Sequence, residues 1–247
     1  TNKGYKLIST PDRVDEQALR PHITAKNIAG KIVYFPETDS TNSEAKRHSY
    51  YPDGTLFIAD TQTGGKGRLG RTWTSSRNVG IYMTLLLKPA IAPSSVAGIT
   101  LSAGLAISRA LDSFLPEDKK AMIKWPNDIV IDTKKISGTL TEMSAEIDRV
   151  NYVACGIGIN VNNDGFDDEL AQKAASLFSL TGEFQNRAPL AAAVINEFEP
   201  LYKTFIRHGL TPMLEEYRTR CITVGSDVRI IRDGAAGEAK AVDISDD

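Results

Sequence analysis

The chain has few of the residues that form disulfides or bind metal ions in small proteins: two cysteines and three histidines among 247 residues. Cys155 and Cys221 lie far apart in the sequence. This spacing predicts reduced thiols and excludes a disulfide scaffold. The first ten residues contain no apolar segment of the kind found in signal peptides. Together these features predict a cytoplasmic protein.

Long uncharged apolar runs are also scarce. Residues 89–108 carry no charge, but Pro93 and several serines and glycines interrupt them. Apolar residues recur there at helical spacing, so a buried helix over Ser95–Leu115 explains this stretch better than a membrane span. We therefore expect no membrane partner.

Acidic side chains are missing from one long segment of the chain. No Asp or Glu occurs between Thr61 and Leu111, although the formal net charge of the whole chain is −2. The basic residues of this segment are Lys66, Arg68, Arg71, Arg77, Lys88 and Arg109. Without a local acid to neutralise them, they predict a cationic pocket or patch. The slightly acidic chain and its few interleaved aromatic residues argue against a nucleic-acid binder.

The stretch Gln62–Trp73, with the sequence QTGGKGRLGRTW, combines this positive charge with four glycines. Glycine lets the backbone approach a ligand closely, and Arg and Lys bind phosphate or carboxylate. The stretch is not a Walker loop, because Lys66 is followed by Gly67, and no G-x-G-x-x-G opens a helix. It indicates either an anion-binding loop of another kind or a solvated basic loop.

The order of predicted elements indicates an α/β fold. Apolar runs predict strands at Lys31–Phe35, Thr55–Thr61, Val79–Leu87 and Arg149–Val161. A helix should begin near Ser40–Asn42, with Thr41 and Glu44 forming a capping box. Met122–Leu140 predicts a hairpin whose first arm is broken at Pro126, since proline cannot donate within a central ladder. Further helices are expected within Glu169–Ala175, Ala188–Gly209 and Thr211–Arg220.

A shift in composition near Cys221 predicts a second, small β module. Strands at Val228–Arg232 and Glu238–Ile244 would flank a Gly-Ala-Ala-Gly turn. So few strands are marginally stable alone, and we therefore expect an incomplete module in this chain. The predicted domains are residues 1–220 and 221–247.

Five sequence signatures, taken together, resemble those of biotin protein ligases. They are STN at Ser40–Asn42, the stretch Gln62–Trp73, KWPND at Lys124–Asp128, KKISG at Lys134–Gly138 and GIGINVN at Gly156–Asn162. The resemblance covers nearly the whole chain, and five signatures in family order are far more specific than one. It implies a mixed-sheet α/β (α+β) catalytic domain of the biotin/lipoate ligase type, followed by a small SH3-like barrel. Within residues 1–10, Asn2–Leu7 also resembles the last wing strand of the winged-helix domain that some of these ligases carry.

The resemblance also implies a reaction. Such ligases join biotin to ATP, with Mg²⁺, and transfer the biotinyl group from biotinyl-5′-AMP to one lysine of a biotin carboxyl carrier protein. One alternative is a ligase of the same fold acting on lipoate or octanoate. Another is a biotin-dependent transcriptional repressor, which would bind DNA if a winged-helix domain precedes residue 1. A homodimer is a further expectation.

Site residues follow from the same resemblance. Arg68 and Lys135 are the candidate catalytic residues, because fixed cations offset the repulsion between a carboxylate and a phosphate. The candidate biotin-binding residues are Ser40, Thr41, Asn42, Gln62, Lys66, Gly67, Arg68, Lys135 and Gly138. The candidate ATP- or adenylate-binding residues are Gly65, Arg68, Arg71, Trp73, Asn127, Lys135 and Asn160. Asp128 is the candidate Mg²⁺ ligand.

Lys66 departs from the family pattern. Many family members have arginine at this position, and lysine keeps the charge but lacks the planar fork that binds in a bidentate manner.

Overall fold

The computed structural model describes residues 11–232 and 235–245. Its helices are α1 (Glu16–Leu19), α2 (Thr41–Arg47), α3 (Ala97–Asp112), α4 (Asp168–Ala171), α5 (Leu177–Thr181), α6 (Arg187–His208) and α7 (Thr211–Arg220). Its strands are β1 (Ile32–Phe35), β2 (Thr55–Ala59), β3 (Gly80–Leu87), β4 (Met122–Lys124), β5 (Asp128–Ile131), β6 (Lys134–Ala145), β7 (Val150–Asn160), β8 (Asp227–Arg232) and β9 (Ala235–Lys240). The strand predicted at Asn2–Leu7 lies outside the described residues.

One mixed sheet forms the centre of the described fold, with strand order β1-β2-β3-β7-β6-β5-β4. β1 and β2 are parallel, and each later pairing is antiparallel. This arrangement confirms the predicted mixed-sheet α/β fold. The near-continuous apolar strand β3 is buried along its whole length and lies between β2 and β7, as its composition predicts.

The two faces of the sheet are covered unequally. α3 and α6 pack together over the main core, which receives Leu85 of β3 and Cys155 of β7. α2 covers the other face. The side chain of Thr84 and the Cβ position of Gly156 lie on that face, next to Asn42, because successive residues of a strand alternate between faces. The apolar cluster on the α2 side is small and consists of Ala45, Phe57, Leu86 and Ala154. This face therefore leaves room for polar groups between the helix and the sheet.

The apolar segment containing α3 is a core element. In Pro93–Asp112, 72% of the most apolar window is buried within the protein. Cys155 and Cys221 are buried and unpaired. These observations confirm the predicted buried helix and the predicted free thiols.

The hairpin predicted over Met122–Leu140 is wrong in its first arm. Lys124 of β4 pairs with Asp128 of β5, so the chain reverses at Trp125–Asn127 and does not continue as one broken strand. Proline lacks an N–H and suits such a reversal. The reversal brings Asn127 beside β6, where its side-chain amide donates to the carbonyl of Thr139 at 2.8 Å.

The C-terminal segment forms a two-stranded sheet of β8 and β9. The predicted position of the second strand is wrong: β9 begins at Ala235, inside the predicted turn, and ends at Lys240. This segment is tied to the larger sheet, since Ile222 N donates to Ile123 O at 2.9 Å. The SH3-like barrel and the boundary after residue 220 stay predictions.

We predict that Gly98→Ala destabilises the contact between α3 and α6. A Cβ at Gly98 would lie 2.2 Å from Cε2 of Phe205, and overpacking of this kind costs about 1–3 kcal/mol. Gly104→Ala in the same helix is the matched control, because no other described group lies within 4 Å of its Cβ position. That variant should gain about 0.5–1 kcal/mol, as expected for replacing a helical glycine by alanine. Urea denaturation measures both, and equal stabilities would contradict the close contact.

Candidate functional site

A cavity of about 50 Å³ lies between the N-terminus of α2 and the sheet, and we call it the α2 cavity. The predicted site residues that line it are Ser40, Thr41, Asn42, Gln62, Lys66, Gly67, Arg68, Trp73, Asn127, Lys135 and Gly138. They come from four of the five sequence signatures. The fifth signature contributes Gly156 and Gly158 to the same lining. The fold therefore brings segments from across the chain to one cavity.

The polar residues at the start of α2 are directed at this cavity. The predicted helix start is confirmed, but the capping box predicted for Thr41 and Glu44 is wrong. Thr41 is already the first helical residue, the N-cap Ser40 makes no side-chain capping bond, and Glu44 accepts from the hydroxyl of Thr38. The backbone N–H of Thr41 donates to Oε1 of Gln62 at 2.8 Å instead. Gln62 thereby joins the stretch Gln62–Trp73, which we call the basic loop, to α2.

Thr84 of β3 supports these residues, although sequence reasoning did not select it. Its Oγ1 lies 2.8 Å from Oγ1 of Thr41 and 2.7 Å from Oδ1 of Asn42. The signal that could have found it is a lone threonine within the apolar strand GIYMTLLL. A hydroxyl buried in such a strand needs a hydrogen-bond partner.

Glu142 of β6 is a second residue that sequence reasoning missed. It accepts a hydrogen bond from Nδ2 of Asn42 at 2.8 Å and pairs with Lys46. Burial alone would raise the pKa of Glu142, but the bonds from Lys46 and Asn42 hold it below the ordinary glutamate value. Its spacing from Gly138 could have placed it, because alternate residues of a strand share one face.

Glycines form the floor of the α2 cavity. A Cβ at Gly156 would lie 2.1 Å from Oδ1 of Asn42, and one at Gly158 would lie 2.6 Å from Cε2 of Trp73. Side chains therefore pack directly against the backbone of this strand. The indole of Trp73 covers the floor, and its Nε1 is buried with no hydrogen-bond partner in the part of the chain that the structure describes. An unpaired buried donor is costly, so a ligand acceptor there would be favourable.

Two cations of the basic loop reach the α2 cavity. Nζ of Lys66 donates to Oγ of Ser43 at 2.9 Å, and Nη1 of Arg68 donates to Oδ1 of Asn127 at 2.8 Å. Both partners are neutral, and within residues 11–232 and 235–245 no carboxylate is paired with either cation. Their positive charge is therefore available to an anion.

Lys135 brings a third cation to the cavity from β6. Its Nζ forms an ion pair with Oδ1 of Asp128 at 2.6 Å, without hydrogen-bond geometry. The same nitrogen lies 5.3 Å from the ring centroid of Trp73, within the range of a cation–π contact. Lys135 thus lies between a carboxylate and the loop indole.

The prediction that the basic residues between Thr61 and Leu111 have no acid to neutralise them is wrong for Arg77 and Arg109. Arg77 pairs with Glu37 at 2.8 Å, and Arg109 bonds to Glu216 and Glu197. These acids lie far away in the sequence, so a local count of charges did not reveal them. Hydrogen bonding to Glu216 raises the pKa of Arg109 above its usual range.

Four predicted residues lie outside the lining of the α2 cavity. Gly65 accepts from Trp73 N at 3.0 Å and lets the two sides of the loop approach, while Arg71 is exposed near the loop tip. Nδ2 of Asn160 donates to Ala175 O at 3.1 Å. The fourth, Asp128, is held by Lys135. Their assignment to ATP or Mg²⁺ stays a prediction.

A protein-built metal site does not fit the described residues. No group of three His, Cys, Asp or Glu side chains there is placed to hold an ion. A single carboxylate such as that of Asp128 fits the type of Mg²⁺ binding in which one or two carboxylates, substrate phosphates and several waters share the ion.

A larger groove of about 760 Å³ adjoins the α2 cavity. The two share Arg68, Asn127, Thr139 and Leu140. The groove is also lined by the apolar side chains of Leu101, Trp125, Phe205, Leu210 and Ile244. Arg68 therefore faces both the α2 cavity and the larger groove.

Fold and site together define an α/β domain with a cavity that is lined by cations and polar groups and lies between α2 and a mixed sheet. The sequence model of the Biotin/lipoate A/B protein ligase family matches residues 33–160, which contain most of the cavity lining. The chain belongs to this family. The predicted resemblance to biotin protein ligases is thereby confirmed.

Individual relatives agree with this assignment. The bifunctional ligase/repressor BirA of Bacillus spizizenii is 36% identical over 249 residues, covering 99% of this chain and 76% of that protein. The biotin–(acetyl-CoA-carboxylase) ligase of Mycobacterium tuberculosis is 27% identical over 234 residues, covering 87% of this chain and 84% of the relative. The biotin protein ligase from Aquifex aeolicus in complex with biotin and ATP matches with a TM-score of 0.75 at 28% identity, over 88% of this chain and 89% of that one.

We predict opposite effects for two buried threonines of the site. Thr84→Val removes the hydroxyl bonded at Asn42 and should lower the free energy of unfolding by about 1–3 kcal/mol. Thr139→Val is the matched control, because the Thr139 hydroxyl is buried without a hydrogen-bond partner among the described residues. It should leave stability unchanged or raise it. Thermal or urea unfolding measures the pair, and an equal loss in both would refute the assigned bond.

Proposed function

We propose that this protein activates biotin with ATP to form biotinyl-5′-AMP and then transfers the biotinyl group to a lysine of a biotin carboxyl carrier protein. The observation that carries the proposal is the convergence of Arg68 and Lys135 on a cavity whose other end is lined by hydroxyl and amide groups. Biotin has the matching layout, with a polar ureido ring at one end and a carboxylate at the other. Ser40, Thr41 and Gln62 would bond the ureido ring.

The remaining biotin-binding residues complete this arrangement. The apolar part of biotin would lie on the floor near Gly138, and Trp73 would have to move or stack on the ligand, because its indole covers that floor. Asn42, Lys66 and Gly67 also line the α2 cavity.

The first step brings two anions together. An oxygen of the biotin carboxylate attacks the α-phosphorus of ATP, the bond from that phosphorus to the bridging oxygen breaks, and pyrophosphate leaves. Repulsion between the reactants is strong in a site with little water, so preorganised cations lower the barrier. Arg68 would contribute most directly, since its described partner, Asn127, is neutral. Lys135 would hold the α-phosphate, and Arg71 would meet the departing pyrophosphate.

The nucleotide side of the site uses the remaining predicted residues. We assign Gly65, Trp73, Asn127 and Asn160 to the adenylate, with the glycine allowing the loop backbone to approach. Mg²⁺ bound to the phosphates would neutralise part of their charge, and Asp128 is the residue that would hold it.

In the second step a lysine amine of the carrier attacks the acyl carbonyl, a carbon–nitrogen bond forms, and AMP leaves. The groove beside the α2 cavity supports this assignment because it reaches Arg68 and Asn127 from the protein surface. The carrier lysine would enter through it. No nucleophilic side chain of the ligase is needed.

A lipoate or octanoate ligase is the alternative within the family. Those acids lack a ureido ring, so the cluster of Ser40, Thr41 and Gln62 around one end of the cavity favours biotin. The repressor function of the bifunctional Bacillus spizizenii relative belongs to that protein. DNA binding, a homodimer, a cytoplasmic location and an SH3-like C-terminal module remain proposals for this chain.

The substrate assignment predicts that exchange of pyrophosphate with ATP depends on biotin and not on lipoate. Biotin should also add its acyl mass to a carrier domain incubated with the protein and ATP. Exchange rates and the mass of the carrier are the measurements. Equal stimulation by lipoate would overturn the choice of substrate.

The catalytic assignment predicts that Arg68→Ala and Lys135→Ala each remove about 2–3 kcal/mol of transition-state stabilisation, as loss of an oxyanion donor does. Arg77→Ala and Lys134→Ala are matched controls, because these cations are exposed and do not line the α2 cavity. Biotin-dependent kcat/KM measures the effect. A near-normal value for Arg68→Ala or Lys135→Ala would remove that residue from its assigned role.

A further inference from the structure

Arg187 is the first residue of α6, and its side chain is fully buried. A cation in the first turn opposes the helix dipole, and a buried charge is costly unless it is paired. The stability of α6 therefore does not explain an arginine at this position. Its partners lie elsewhere in the fold.

The guanidinium joins three segments. Nε donates to Oδ2 of Asp12 at 2.6 Å, Nη2 donates to Oδ1 of Asp60 at 3.2 Å, and Nη1 donates to Gly80 O at 3.1 Å. Asp60 directly follows β2, and Gly80 is the first residue of β3. These two residues are the ends of the connection 61–79, which carries Gln62 and Arg68.

Further hydrogen bonds hold Asp60, one of the two residues that flank the connection 61–79. The hydroxyl of Tyr34 donates to Oδ2 of Asp60, and Asn78 N donates to Asp60 O at 3.2 Å. Burial, together with the bond to Asp60, raises the pKa of Tyr34 to about 12, so the hydroxyl keeps its proton at neutral pH. The carboxylate of Asp60 thus accepts from Tyr34 and from Arg187, and Arg187 supplies the positive charge that pairs with this partly buried carboxylate.

We propose that Arg187 is a positioning residue for the ligase reaction: it holds both ends of the connection 61–79 and so sets where Gln62, Arg68 and Trp73 lie over the sheet. The inference rests on the proposed function, because the affected residues are those assigned to biotin and adenylate. Arg187 does not line the α2 cavity and acts through Asp60 and Gly80.

A purely structural role is the competing explanation. α6 also binds the N-terminal segment elsewhere, since Asn196 accepts from Thr24 N and Glu199 accepts from Ile28 N. If Arg187 served this attachment alone, its important partner would be Asp12. Loss of the bond between Arg187 and Asp60 would then leave the position of the connection 61–79 unchanged.

The test uses two variants that each delete one carboxylate from the same guanidinium. Asp60→Ala removes the carboxylate partner at the connection 61–79. Asp12→Ala removes the carboxylate partner on the N-terminal segment and leaves the backbone carbonyl of residue 12, which accepts from Nη2 at 3.1 Å. We expect both to lower the melting temperature. Asp60→Ala should also raise the KM for biotin at least about tenfold, the scale of effect that a displaced binding group produces, and speed amide exchange in residues 62–74. Asp12→Ala should keep the KM within about twofold of the wild type, because Asp60 and Gly80 remain bonded to Arg187.

Equal KM values in the two variants would overturn the proposal and leave Arg187 a structural role. Arg187→Lys gives a second test if Asp60→Ala does not fold. It keeps the charge but cannot bridge Asp60 and Gly80 with a planar fork, so its KM for biotin should also rise; an unchanged KM would refute the role. If the wild type showed no biotin-dependent exchange of pyrophosphate with ATP, the proposed function would be refuted. If the wild type were active and the variants kept its KM for biotin, only the role of Arg187 would be refuted.

Discussion

Close approach to a bare backbone is the constraint on which this site depends. Asn42 and Trp73 occupy the space above Gly156 and Gly158, where any Cβ would collide with them. These glycines lie on β7 in the middle of the sheet, so the floor of the cavity is a strand paired on both sides, with β3 and with β6. The opposite face, packed against α3 and α6, supplies the apolar burial that stabilises the strands.

The partners of each cationic side chain differ with its place in the protein. Arg77 and Arg109 are paired with acids near the surface, whereas Lys66 and Arg68 meet neutral oxygens at the α2 cavity. The buried Arg187 is at the other extreme, because its guanidinium is held by carboxylates and backbone carbonyls. Arg77, Arg109 and Arg187 are thus neutralised by carboxylates of the protein. Of the three cations that line the cavity, Lys135 is paired with Asp128, whereas Lys66 and Arg68 form no ion pair among the described residues.

Much of the architecture could be predicted from local patterns. Continuous apolar runs located β3 and β7, helical spacing located α3, and polar residues marked the start of α2. The order of the five signatures also indicated the family that the relatives confirm. Errors arose where a local pattern had two readings. The chain reverses at Trp125–Asn127, and a capping box was inferred where Thr41 bonds to Gln62.

The sequence by itself determined the central strands, most helices and the residue types of the site, because periodicity and turn chemistry act between near neighbours. Tertiary structure alone decided which groups meet. Thr84 reaches Asn42 across 42 positions, and Arg187 reaches Asp12 across 175. Such contacts depend on how strands are ordered and how helices pack, and hydrogen bonds over these separations leave no local pattern in the chain. For that reason the groups that support the site were missed, while most of the residues that line it could be named.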